Sequence, residues 1–247
     1  MSNDNAVHDQ RETSKGTEVL KACNKVDVKK PDNDDEDESK WELCSAYDHD
    51  KKFDPEEYLD GFYKTASEDT AMQIVLFFLP GLTYYLPRNI QTLLDLGAGP
   101  TVYVPIVFRN RVLNIYTSDY AEANRRTLES WYKKHNRFDW VQVCQWIADI
   151  ESSKESPEDM QETTRSKLRA ILNVNVHNEE IIESIHCRCN STESDMIPRQ
   201  FEVVTTVFCL EYACETLEEY RKTVRNTVRL IEPGGYLVCA NRKSYQF

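Results

Sequence analysis

The stretch LLDLGAGPTVY, Leu93 to Tyr103, decides the fold. An apolar run ends in two glycines one residue apart, and a proline follows where a helix would begin. Strand, glycine turn and helix in that order is the opening unit of an α/β sheet, in which a ligand meets the backbone at the turn. Glycine is needed there because a β-carbon would block close approach and would strain a left-handed backbone.

Outward from this turn, β-rich runs recur at Thr92–Leu96, Val112–Thr117, Val141–Ile147, Val203–Phe208 and Gly235–Ala240. Helical stretches at Val102–Phe108, Ala121–Lys134, Thr163–Leu172 and Leu217–Ile231 separate them. Near-continuous apolar strands alternating with amphipathic helices predict a doubly wound parallel sheet covered on both faces. A polar segment, about 151–200, interrupts the rhythm and reads as an insertion, partly helical around SKLRAIL. Upstream, DPEEYLDGFYK places Asp54 as a cap and Pro55 at the first helical position. A second, mostly apolar helix starts near Ser67, so 53–86 forms a helical pair ahead of a core at 90–247.

The totals set bounds. The 247 residues, 40% of them hydrophobic, suit one large domain, which the composition places at 41–247. Six of the seven residues from Asp32 to Glu38 are acidic, and 1–40 reads as a disordered tail. A formal charge of −12 argues against a nucleic-acid surface. The longest apolar run is too short to cross a bilayer. MSNDNAVHDQ has no basic start followed by an apolar stretch, and eight scattered cysteines read as reduced thiols, so the expected location is cytoplasmic. Cys187 and Cys189 form a lone CxC beside His186 with no second pair at metal-ligand spacing, and no metal is expected.

The turn also narrows the ligand. Dinucleotide sites want a third glycine at the position held here by Val102, which disfavours a nicotinamide dinucleotide. An adenosyl compound without a pyrophosphate makes no such demand. Asp119, in YTSDYAEAN, ends the next strand and can accept both ribose hydroxyls, or simply cap the following helix.

LLDLGAGPTVY, SDYAEAN, FDW at Phe138–Trp140, FCLEYAC at Phe208–Cys214, IEPGGYLV at Ile231–Val238 and DPEEYLDGFYK together resemble the nicotinamide / phenylethanolamine N-methyltransferase family. These are class I enzymes that use S-adenosylmethionine. The resemblance covers roughly 53–245 and implies a Rossmann-like fold. It implies that Tyr58 and Tyr63, on a lid helix, touch the methionine part. Gly97, Ala98 and Tyr103 would line the turn, Asp119 the ribose, and Asn124 the methionine end. LNVNV would set Asn175 and Val176 against the adenine, with Asp149 as second choice, and Val207 would line the cofactor. Glu211 and Asn241 fall at acceptor-facing places. The family continues about sixty residues past Gly235–Ala240, so the expected sheet lacks its last strands and leaves an edge that a partner could cover.

The function implied is methyl transfer to a small amine or pyridine nitrogen, nicotinamide-like by preference, by a monomer with no nucleic-acid or membrane partner. A catalytically inactive relative that binds the cofactor or a protein partner is the alternative.

Overall fold

The computed structural model describes residues 53–64, 70–192 and 195–240. The acidic tail expected over 1–40, the cap at Ser67 and Asn241 lie outside the described residues. Two helices come first, α1 (Pro55–Phe62) and α2 (Thr70–Leu82). The core follows as β1 (Ile90–Leu96), α3 (Tyr103–Phe108), β2 (Val112–Asp119), α4 (Glu122–Tyr132), α5 (Val141–Glu151) and α6 (Pro157–Lys167). It closes with β3 (Leu168–Val174), β4 (Ile182–Arg188), β5 (Phe201–Val207), α7 (Leu217–Val228) and β6 (Ile231–Ala240).

The six strands order as β4-β3-β2-β1-β5-β6. All neighbours are parallel except β3 with β4. From β1 the chain winds through β2 to β3 on one side, then returns to β5 and β6 on the other. The winding reverses between β1 and β5, and the crevice beyond their carboxyl ends is where such a sheet holds ligands. Apolar side chains pack on both faces. One core joins Leu93, Ile115 and Ile171 to α1–α6, and the other joins Leu94, Leu172 and Val204 to the α7 side. Alternate residues of one strand therefore feed opposite cores, as a period of two requires.

Local chemistry explains most element ends. The Asp54 carboxylate accepts from the Glu56 and Glu57 amides, and Pro55 fills the first helical position. Ser156 and Thr216 cap α6 and α7 in the same way. At α3, Arg109 is fully buried, yet its guanidinium donates to Glu151 at 2.7 Å and Glu155 at 2.9 Å. That pairing fastens the end of α3 to the end of α5 and satisfies a charge that would otherwise be costly to bury.

Two sequence expectations are corrected. Val141–Ile147 is helix, not strand: its buried residues Val143, Cys144, Ile147 and Ala148 recur at helical spacing, and Asp139 accepts from the Val141 amide at 3.0 Å. Thr163–Leu172 is not one helix. α6 stops at Lys167 and β3 starts at Leu168 with no loop between them. The stretch read as an insertion thus supplies a strand that pairs directly with β2, together with the antiparallel β4.

Candidate active site

The glycine turn leaves β1 with both glycines left-handed, φ 71° at Gly97 and 62° at Gly99. The Ala98 amide donates to the Ser118 carbonyl at 2.9 Å and the Gly99 amide to Asp119 Oδ2 at 2.7 Å, tying the turn to the end of β2. Asp119 Oδ1 accepts from the Ala121 amide and from Asn124 Nδ2, each at 2.9 Å. One carboxylate therefore orders the turn, the start of α4 and the Asn124 side chain. Asp119 closes a turn just ahead of α4 and does not cap it, because the N-cap residue is Ala121 and no side chain caps the helix. A carboxylate has about four lone-pair positions, so the three donors leave room for one more.

A second group of residues closes over the turn. Tyr63 is buried, stacks on Tyr103 at a centroid distance of 5.7 Å, and leans on Trp140 at 5.6 Å. Its phenol hydrogen-bonds to those of Tyr58 and Tyr103. Burial holds the Tyr63 and Tyr103 phenols well above the usual tyrosine range, so both remain neutral donors and acceptors. Glu56 of α1 also meets Arg137 at 2.8 Å, but that pair is exposed and contributes little.

Asp95, the last but one residue of β1, is buried and accepts from Thr205 Oγ1 at 2.8 Å. Burial pushes its carboxyl up to about 7, the Thr205 donor works against the shift, and the Asp119 charge adds to it. Folded chain thus binds a proton that unfolded chain releases near pH 4, so this group's stabilisation fades as pH rises from about 4 towards 7. Asp95→Asn should remove that slope, leaving the variant relatively more stable at pH 8 than at pH 5. Thermal melts across that range check it, and an unaltered slope would show that another group is responsible.

The other expected residues are placed as follows. Asn175 follows β3, but its Oδ1 accepts from the His177 amide at 3.0 Å within a turn. Val176 is buried beside α7, where its carbonyl accepts from Asn226. Val207 ends β5, partly buried. Glu211 is buried. Asp149 stands exposed on α5 with Gln145 at 2.9 Å.

Sequence reasoning missed what packs beneath the turn. Phe208 is a non-glycine residue at φ 58°, and it delivers Cys209 against Gly97. A β-carbon on Gly97 would lie 2.2 Å from Cys209 Sγ. The first glycine is therefore required by the protein's own thiol. At Gly99 only the left-handed φ calls for glycine, since a β-carbon there meets nothing within 4 Å.

Several buried polar atoms have no partner in the described structure, Asp95 Oδ2, Asn124 Oδ1 and the Arg125 Nε donor among them. Such orphaned groups fit a ligand that brings hydroxyl, ammonium and carboxylate groups of its own, and no cluster of three metal-ligating side chains occurs among the described residues.

The NNMT/PNMT/TEMT family profile matches residues 41–245. The chain belongs to the NNMT/PNMT/TEMT family. Membership makes it an N-methyltransferase by family, with S-adenosylmethionine as methyl donor. It is 56% identical to a nicotinamide N-methyltransferase of Caenorhabditis elegans over 84% of this chain and 76% of that one. It is 28% identical to the human nicotinamide N-methyltransferase over 75% of this chain and 68% of that one. A rabbit (Oryctolagus cuniculus) indolethylamine N-methyltransferase is 26% identical over 77% and 70%. No helix among the described residues is long and apolar enough to cross a membrane.

Proposed function

We propose that this NNMT/PNMT/TEMT-family chain methylates a small amine or pyridine nitrogen, with a nicotinamide-like ring as the favoured acceptor. The observation that carries the acceptor class is the 56% identity to the nematode nicotinamide N-methyltransferase. Asp119 would accept from the ribose, Asn124 Oδ1 and the three phenols would receive the methionine end, and Ala98 would lie under the adenosine. Asn175, Val176 and Val207 would bound the adenine. S-adenosylmethionine, when bound, supplies a methyl group already activated as a sulfonium.

The chain's own contribution is then alignment and dryness. Effective molarity from orientation reaches about 7–11 kcal/mol in favourable cases, which needs neither nucleophile nor metal. Neutral phenols suit such a site, since a tyrosinate there would compete for the methyl group. A pyridine nitrogen carries a free lone pair and needs no base. An aliphatic amine must first lose a proton, and Glu211, a buried carboxylate, would take it.

The test is transfer of labelled methyl to nicotinamide, run beside a panel of aliphatic and indolic amines. Transfer to nicotinamide with little to the amines is expected. Tight binding of S-adenosylhomocysteine without transfer to any acceptor would overturn the assignment in favour of a non-catalytic, cofactor-binding relative.

A further inference from the structure

β4 carries chemistry that methyl transfer does not use. In its pairing with β3, Ile171 faces Cys187 and Leu172 faces Ile185, which leaves His186 as an extra residue in a bulge. Cys187 on β4 and Cys189, one residue past its end, are two apart, and both pack against the main core. The Cys189 amide is fixed to the Arg169 carbonyl at 2.9 Å. Both side chains are half-buried against the main core, and the two thiols hydrogen-bond to each other.

Glu129 of α4 stands over this pair. It accepts from Lys133 Nζ at 2.6 Å, meets His186 Nε2 at 3.1 Å, and hydrogen-bonds with the Cys187 thiol. Two sulfurs, a carboxylate, an ammonium and an imidazole therefore meet on a face remote in the strand order from the β1–β5 crevice. A pair of thiols packed only for bulk would need no such polar surround.

We propose that Cys187 and Cys189 together bind one thiophilic cation of the cuprous class. Soft sulfur ligands select such ions over the harder divalent cations. Two sulfurs suffice for an ion of low coordination number, whereas zinc asks for four ligands. His186 and Glu129 are engaged with each other at 3.1 Å, and no three side chains among the described residues are grouped so as to hold a metal ion, so the site offers its two sulfurs alone. Uptake forms two sulfur–metal bonds and releases both thiol protons, with no change of oxidation state. The bound unit, two thiolates on a monovalent ion, has a net charge of −1.

The experiment titrates the reduced, full-length chain with cuprous ion under anaerobic conditions against a chromogenic cuprous chelator. The chain has eight cysteines, so the reading is a difference between variants. Wild type should take one more cuprous equivalent from the chelator than Cys187→Ser/Cys189→Ser. Each single serine variant should lose the same equivalent, and Cys239→Ser, at an exposed position, should keep it. Binding of S-adenosylhomocysteine should match wild type throughout, which verifies folding. Equal uptake by wild type and double variant would overturn the proposal, as would failure of wild type to compete at all. If the double variant does not fold, X-ray absorption at the copper edge of the singly loaded wild type decides. Two sulfur neighbours support the site, and nitrogen or oxygen neighbours alone remove it.

Discussion

Asp119→Ala should weaken binding of S-adenosylhomocysteine by about 10- to 150-fold, which corresponds to roughly 1.5–3 kcal/mol for hydrogen bonds to a charged group. Titration calorimetry on folded wild type and variant measures it. The substitution also frees the Gly99 and Ala121 amides and the Asn124 side chain, all held by this carboxylate. Melting temperature should fall as well, and the two losses need separating. Asp119→Asn serves for that. Its remaining oxygen can still accept while the charge is gone, so it should recover part of the stability and little of the affinity. Affinity unchanged in Asp119→Ala would place the ribose elsewhere and undo the proposed site.

Gly97→Ala should destabilise the fold by about 2–5 kcal/mol. Roughly 1–2 comes from a left-handed backbone carrying a β-carbon, and about 1–3 from overpacking. The new atom would meet Cys209 Sγ at 2.2 Å and Cys209 Cβ at 2.5 Å, so rotation of the thiol cannot relieve the clash. Cys209→Gly should rescue the packing part and leave the backbone part. Gly99→Ala is the companion measurement. Its φ is 62° but its β-carbon would meet nothing, so about 1–2 kcal/mol is expected. Chemical denaturation of the set gives the numbers, and equal losses at the two glycines would mean that Cys209 gives way freely.

Much of this was readable from one stretch. The turn, its flanking strand and the acid at the end of the next strand lie where the spacing predicted, and the structure adds the hydrogen bond that joins them. Asn124 sits one turn into α4 with its amide on Asp119, and the capped start of α1 follows Asp54 and Pro55. The polar middle was not readable. VQVCQWI opens with the alternation of a strand and discloses its helical period only at Ile147 and Ala148. SKLRAIL changes from helix to strand without a turn residue to mark the switch. Within the site, Cys209 meets Gly97 across more than a hundred residues, and a phenylalanine at positive φ has no signature in sequence. Local rules find what neighbours dictate. Strand pairing across the sheet dictated the rest.

The stacking of Tyr63 on Tyr103 and Trp140 has a bearing on turnover. If α1 must swing away to admit a reactant, that ring passes into water at about 1.5–3 kcal/mol. On that figure alone the open form occupies roughly one molecule in 10 to one in 150, and measured association constants shrink by the same fraction. Trimming the Tyr63 ring would then speed entry while loosening the grip on whatever had entered.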